Sequence, residues 1–105
     1  MGGVVRTLYG AAMELGFHAR PFAKSIIFAP PANRTRCLFV VWVRREREPG
    51  VAKAYIAAEA FEQFYGIEEA DLAAAVGLVG DVMLDQAGVE RVIAGLRRLM
   101  AGKDA

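Results

Sequence analysis

Hydrophobic positions change period along the chain, and each change marks an element. In residues 4–15, Val5, Leu8, Ala12 and Leu15 recur at helical spacing, with Arg6, Gly10 and Glu14 elsewhere on the wheel. This predicts a first helix. Gly10 weakens its interior by up to about 1 kcal/mol relative to alanine. Gly16 is placed to cap it in a left-handed conformation, and Pro21 lies a few residues beyond. "KSIIFA", residues 24–29, reads as a short strand that ends at Pro30-Pro31, which cannot donate to a ladder. "PPANRTR" reads as a loop, with Asn33 suited to a turn.

Residues 36–47 read as the second strand. Cys37 to Val43 is an unbroken apolar run, which predicts a central strand buried on both faces. Five charged residues follow, Arg44 to Glu48, and then Pro49-Gly50. "VAKAYIA", residues 51–57, is the third strand. From Glu59 the pattern turns helical, with Ala60, Phe61, Phe64 and Tyr65 on one side and Gly66 as the stop. "IEEADLAAAVG" is a second short helix, with Glu68, Glu69 and Asp71 in its first turn, where the helix dipole favours them. "VGDVMLD" reads equally as a short fourth strand, near 80–84, or as a loop. The last helix is clear: Val89, Val92, Ile93, Leu96, Leu99 and Met100 keep helical spacing, and Asp85 is its N-cap. Residues 101–105 are expected to fray.

The order describes one α+β domain over residues 1–105: an N-terminal helix, a three-stranded antiparallel meander, then three helices packed on one face. Strand parity puts Leu38, Val40, Trp42, Arg44, Glu46 and Glu48 on one side. Cys37, Phe39, Val41, Val43, Arg45 and Arg47 fall on the other. A hairpin centred on Pro49-Gly50 pairs residue i with 99−i. Glu46 is then expected opposite Lys53, Arg44 opposite Tyr55, and Arg45 and Arg47 opposite Ala54 and Ala52.

Composition bears on partners. Apolar residues make up 55% of the 105 positions. A small domain that rich in apolar side chains has a common outlet, an apolar face covered by a second copy or another protein. The expectation is a soluble, cytoplasmic, non-catalytic interaction module, a homodimer or a subunit of a larger assembly. No stretch is long and apolar enough to span a bilayer, and "MGGVVRTLYG" lacks the regions of a signal peptide.

Charge is uneven. Residues 1–50 hold eight Lys/Arg against three acids, and residues 51–105 hold five against nine. Arg34, Arg36, Arg44, Arg45 and Arg47 all flank the second strand, and Trp42, Tyr55 and Phe39 offer rings for stacking on single strands. Nucleic-acid binding through these arginines and Trp42 is therefore the alternative. The sequence pI of about 7.9 is low for such a domain.

Catalytic sets are hard to assemble. His18 is the only histidine, Ser25 the only serine and Cys37 the only cysteine. No nucleophile motif surrounds Ser25, and Cys37 sits at the head of an apolar strand, where a free cysteine behaves as a small hydrophobe. One His and one Cys make no zinc site. Asp81 and Asp85 share a face if helical, with Glu90 nearby, but they are too few for a hard cation. No phosphate-binding loop is present. The expectation is no cofactor, no metal and no identifiable small-molecule substrate.

The first helix, "LGF", a three-strand meander and "AYIAAEAFEQFYG", together residues 4–66 at most, resemble the opening of the restriction-endonuclease-like fold, including small junction-resolving nucleases. That resemblance implies metal-dependent nuclease chemistry through an acid on one strand and an acid-x-Lys pair on the next. "KSIIFA" and the run Cys37–Val43 hold no acid, and Glu46 and Glu48 have no lysine in the motif position. The resemblance thus implies at most a degenerate domain without the catalytic acids.

Overall fold

The computed structural model describes residues 3–43 and 50–101. The elements run α1 (Gly3–Glu14), β1 (His18–Pro21), β2 (Ser25–Ala29), β3 (Phe39–Trp42), β4 (Ala52–Ile56), α2 (Ala58–Tyr65), α3 (Glu69–Val76), β5 (Gly80–Leu84) and α4 (Gln86–Met100). All strand pairs are antiparallel, and the sheet order is β1-β2-β3-β4-β5. This is an α+β fold: an N-terminal helix, a meander, then helices that pack on one face of the sheet.

The sheet has two strands beyond the expected three. β5 settles the ambiguity at 80–84: Val82 and Leu84 are buried while Asp81 and Met83 are exposed, the period-2 alternation of an edge strand. β1 carries no strand signal of its own, because "HARP" has no β-branched residue and includes a proline. An edge strand tolerates both. Phe22 N–H donates to Ser25 O at 2.7 Å and closes the tight turn into β2.

β3 is the middle strand, as expected, but it starts at Phe39 rather than at residue 36, and the predicted positions 44–47 lie outside the described residues. Consecutive turns hold residues 30–36. Asn33 N–H donates to Pro30 O at 3.0 Å and Arg36 N–H to Asn33 O at 3.2 Å, while Asn33 Oδ1 accepts from the Thr35 hydroxyl at 2.7 Å.

The hairpin register also differs. Phe39 pairs with Ile56, Val40 with Tyr55 and Val41 with Ala54. Tyr55 therefore faces Val40 and not Arg44, a shift of four residues. Core-facing Phe39, Val41, Ala54 and Ile56 fix this pairing. Because the shift is even, Val40 and Trp42 keep one face and Phe39 and Val41 the other, but Leu38, expected beside Val40, lies in a bend before β3 and is buried in the core. The expected positions of Arg44, Arg45, Glu46 and Arg47 lie outside the described residues.

Helix ends follow the residue chemistry. Gly66 (φ 67°) donates its N–H to Glu62 O and Phe61 O at the end of α2, and Gly16 (φ 85°) closes α1. Asp85 Oδ1 accepts from Gly88 N–H at 2.7 Å and caps α4. Beneath the helices the core centres on aromatic rings. Phe28 stacks on Phe39 with centroids 4.6 Å apart, and Phe17 meets Phe39 and Phe61 edge-on. Leu8, Leu72, Val89 and Leu96 seat α1, α3 and α4 on this layer.

Candidate interaction surface

Antiparallel pairing puts directly opposed residues on the same face, so the four registers can be carried across the sheet as rows. Ala19, Phe28, Phe39, Ile56 and Gly80 form one row under the helices; Pro21, Ile26, Val41, Ala54 and Val82 form another. The opposite face carries Arg20, Ile27, Val40, Tyr55 and Asp81 in one row. Its neighbouring row holds Ser25, Trp42, Lys53 and Met83. Ile27, Val40 and Trp42 are only partly buried, and Tyr55 and Met83 are 38% and 61% exposed. Phe22, at the turn beside this row, is 53% exposed.

No helix among the described residues covers this face. Val40 and Trp42 are therefore not buried on both sides as the apolar run suggested. The unbroken run reflects a central strand whose second face is apolar but open. A contiguous apolar surface of this kind in a small domain marks an interaction site more often than a solvated one.

The charged groups of the face occupy fixed places. Lys53 Nζ lies 5.3 Å from the centroid of the Trp42 ring, a cation–π pair across β3 and β4. Arg20 sits on edge strand β1. Its Nη2 donates to Thr35 O and Arg36 O at 3.4 Å, and its Nε is buried with no hydrogen-bond partner among the described residues. Asp81 sits on the opposite edge strand, in the same row as Arg20.

The sequence-derived arginine cluster is not assembled among the described residues. Arg36 lies off the open face: it donates to Gln63 Oε1 at 3.0 Å and sits 5.7 Å from the Phe64 centroid, both on α2. Arg34 is exposed in the turn region. Arg44, Arg45 and Arg47 lie outside the described residues. Trp42 is on the open face, and Tyr55 joins it diagonally. Phe39 does not: it is 3% exposed and stacks in the core. Arg20, Tyr55, Asp81 and Met83 belong to the surface but were not grouped with it from sequence, because only the register of β1 and β5 brings them into its rows.

Other chemistry is sparse. Burial pushes the Cys37 thiol up and outweighs the pull of Arg20 the other way, the reverse of an activated nucleophile. Asp81 and Asp85 share no helix: one is on β5, the other caps α4. No group of three or more His, Cys, Asp or Glu side chains among the described residues is arranged to hold a metal ion. A small cavity of about 180 Å³ lies between Tyr55, Ala57, Glu59, Glu69 and Gly80. A groove of about 390 Å³ runs between α1 and α4, where Arg97 donates to Glu14 at 2.9 Å beside Arg6 and Glu90. The first is smaller than the usual ligand site, and the second is bordered by an exposed ion pair. No helix among the described residues is long and apolar enough to cross a membrane. Compared with known protein families, curated proteins and solved structures, the chain finds no match in any of the three.

Proposed function

We propose that this chain is a small, soluble, cytoplasmic interaction module without catalysis, and that it docks through the open face of its sheet. One observation carries this: Ile27, Val40, Trp42, Tyr55 and Met83 form a contiguous apolar surface on the face opposite the helices. Leaving such side chains in water forgoes roughly 25 cal/mol for each Å² that a partner would cover. Function follows from cover, not from chemistry at a reactive group.

Nucleic-acid binding is the second reading, favoured by Trp42 and Tyr55 on an open sheet with Lys53 between them. Aromatic platforms on sheets stack unpaired bases. Two features weigh against it. Lys53 lies against the Trp42 ring, and Asp81 puts a negative charge on the same face.

A photo-cross-linking residue at Val40, in the cells that make the protein, tests both readings. Ala94, exposed on α4, is the control position. A discrete protein adduct from position 40 and none from position 94 supports docking through the sheet. A nucleic-acid adduct from position 40 selects the second reading. No adduct from position 40 overturns both.

A further inference from the structure

Among the described residues, two charges of the open face, Arg20 and Asp81, have an order that selects a partner. Along the row Arg20–Ile27–Val40–Tyr55–Asp81, a cation stands on one edge strand, an anion on the other, and three largely apolar side chains lie between. Four strand spacings separate the ends, about 19 Å. A second copy turned by a two-fold axis that runs parallel to β3, between two facing sheets, reverses this row and keeps its height along the strands. Arg20 then faces the partner's Asp81, and Asp81 faces the partner's Arg20. Val40 meets the partner's Val40 on the axis, Trp42 meets the partner's Trp42, and Tyr55 covers the partner's Ile27.

The other in-plane two-fold, perpendicular to the strands, exchanges the two rows. It lays Asp81 against the partner's Met83 and Arg20 against the partner's Phe22, leaving these two charges opposite apolar groups, while Lys53, which stays over its own Trp42 ring, meets no acid about either axis and does not discriminate between them. Desolvating a charge without a counter-charge is costly, so the axis parallel to β3 is preferred. Aligned face-to-face sheets pack about 10 Å apart, and the Arg20 guanidinium, whose Nη2 is held on Thr35 O and Arg36 O at that edge, would meet the partner's Asp81 through the N–H groups those bonds leave.

We infer that the occupant of the open face is a second copy of this chain, joined by a two-fold axis along β3 with reciprocal Arg20–Asp81 pairs. This rests on the sheet-face reading above and names its partner. An isologous interface is the commonest way for a small domain to cover such a face. Strands of four and five residues make a small interface, so the dimer belongs to the weak class that dissociates on dilution.

Sedimentation of the full chain over a concentration series tests the geometry. Each single reversal, Arg20→Asp or Asp81→Arg, places like charges at both ends and is expected to weaken the homodimer at least tenfold. Mixing the two variants is the decisive measurement: in the mixed dimer both end pairs are attractive again, so mixing should restore dimer to within about threefold of the unaltered chain. Failure of mixing to restore association overturns the pairing. Should Arg20→Asp fail to fold, Val40→Cys in a Cys37→Ser background takes its place. An on-axis thiol should cross-link to itself with a short bismaleimide, and the same thiol at Ala94 should not. A chain monomeric at the highest concentration, with no self-cross-link at position 40, overturns the second copy as occupant. The face itself then stands or falls by whether the photo-cross-linker at position 40 finds a different protein.

Discussion

Lys53 holds its ammonium group over the indole of Trp42, 5.3 Å from the ring centroid, on the open face of the sheet. The pair exists because the β3–β4 register places Val41 against Ala54 and so brings the next residues, Trp42 and Lys53, opposite each other. An exposed contact of this kind contributes roughly 0.5–1 kcal/mol. A double-mutant cycle of Trp42→Leu and Lys53→Met in urea denaturation should return a coupling of about that size. Coupling indistinguishable from zero would show that the ammonium does not dwell over the ring in solution.

Two glycines in helices should respond oppositely to alanine. At Gly95, a Cβ would collide with the Ala75 carbonyl and crowd Val76, since α4 crosses α3 backbone to backbone there. Backbone cannot yield as a side-chain tip can, so Gly95→Ala should destabilise by about 1–3 kcal/mol despite its better helix propensity. At Gly10 nothing lies within 4 Å of the added carbon. Gly10→Ala should therefore stabilise by up to about 1 kcal/mol. Thermal denaturation of the two variants side by side checks both signs, and equal shifts would refute the close crossing of α3 and α4.

Asp85 makes a more local contribution. Its carboxylate oxygen accepts from Gly88 N–H at 2.7 Å, satisfying one of the donors that a helix start leaves unpaired. Asp85→Ala should lower stability by about 1 kcal/mol, while Asp85→Asn, which keeps an acceptor, should lose much less. Equal losses in the two variants would mean that charge at the helix start, and not the hydrogen bond, carries the effect.

Most of the fold could be read from the chain because local signals agreed with tertiary needs. α4 shows this best: its apolar stripe, its Asp85 cap and its buried face coincide. The β1 strand was illegible for the opposite reason. His18, Ala19, Arg20 and Pro21 have no strand preference of their own and pair with β2 only because a tight turn brings them there. The β3–β4 register was misread because Pro49-Gly50 looked like the centre of a hairpin, while Phe39 and Val41 had stronger claims on Ala54 and Ile56. The open surface was half visible. Parity placed Trp42 with Val40 correctly, but Asp81 and Met83 lie about 40 residues downstream, and no local pattern ties an edge strand to a distant row. The arginines that flank the second strand do not share one surface: Arg36 packs on α2, where its guanidinium bonds Gln63 and lies near the Phe64 ring.

Cys37 offers a test through protonation. Burial disfavours its thiolate, and the Arg20 guanidinium only partly offsets this, so the folded-state pKa lies above the ordinary thiol value. Alkylation by iodoacetamide should therefore reach half its limiting rate at a higher pH in the native protein than in the chain unfolded in urea. Arg20→Met removes the lowering influence and should move that midpoint further up. The sign for stability follows by linkage. A raised folded-state pKa favours the protonated thiol, so its contribution is complete below the unfolded-state pKa and is lost as pH rises through the folded-state value. Cys37→Ser should therefore flatten the decline of stability on the alkaline side and leave the pH dependence around neutrality unchanged. A native midpoint at or below the unfolded one would show that Arg20 outweighs burial, and Cys37 would then be a thiol primed for reaction.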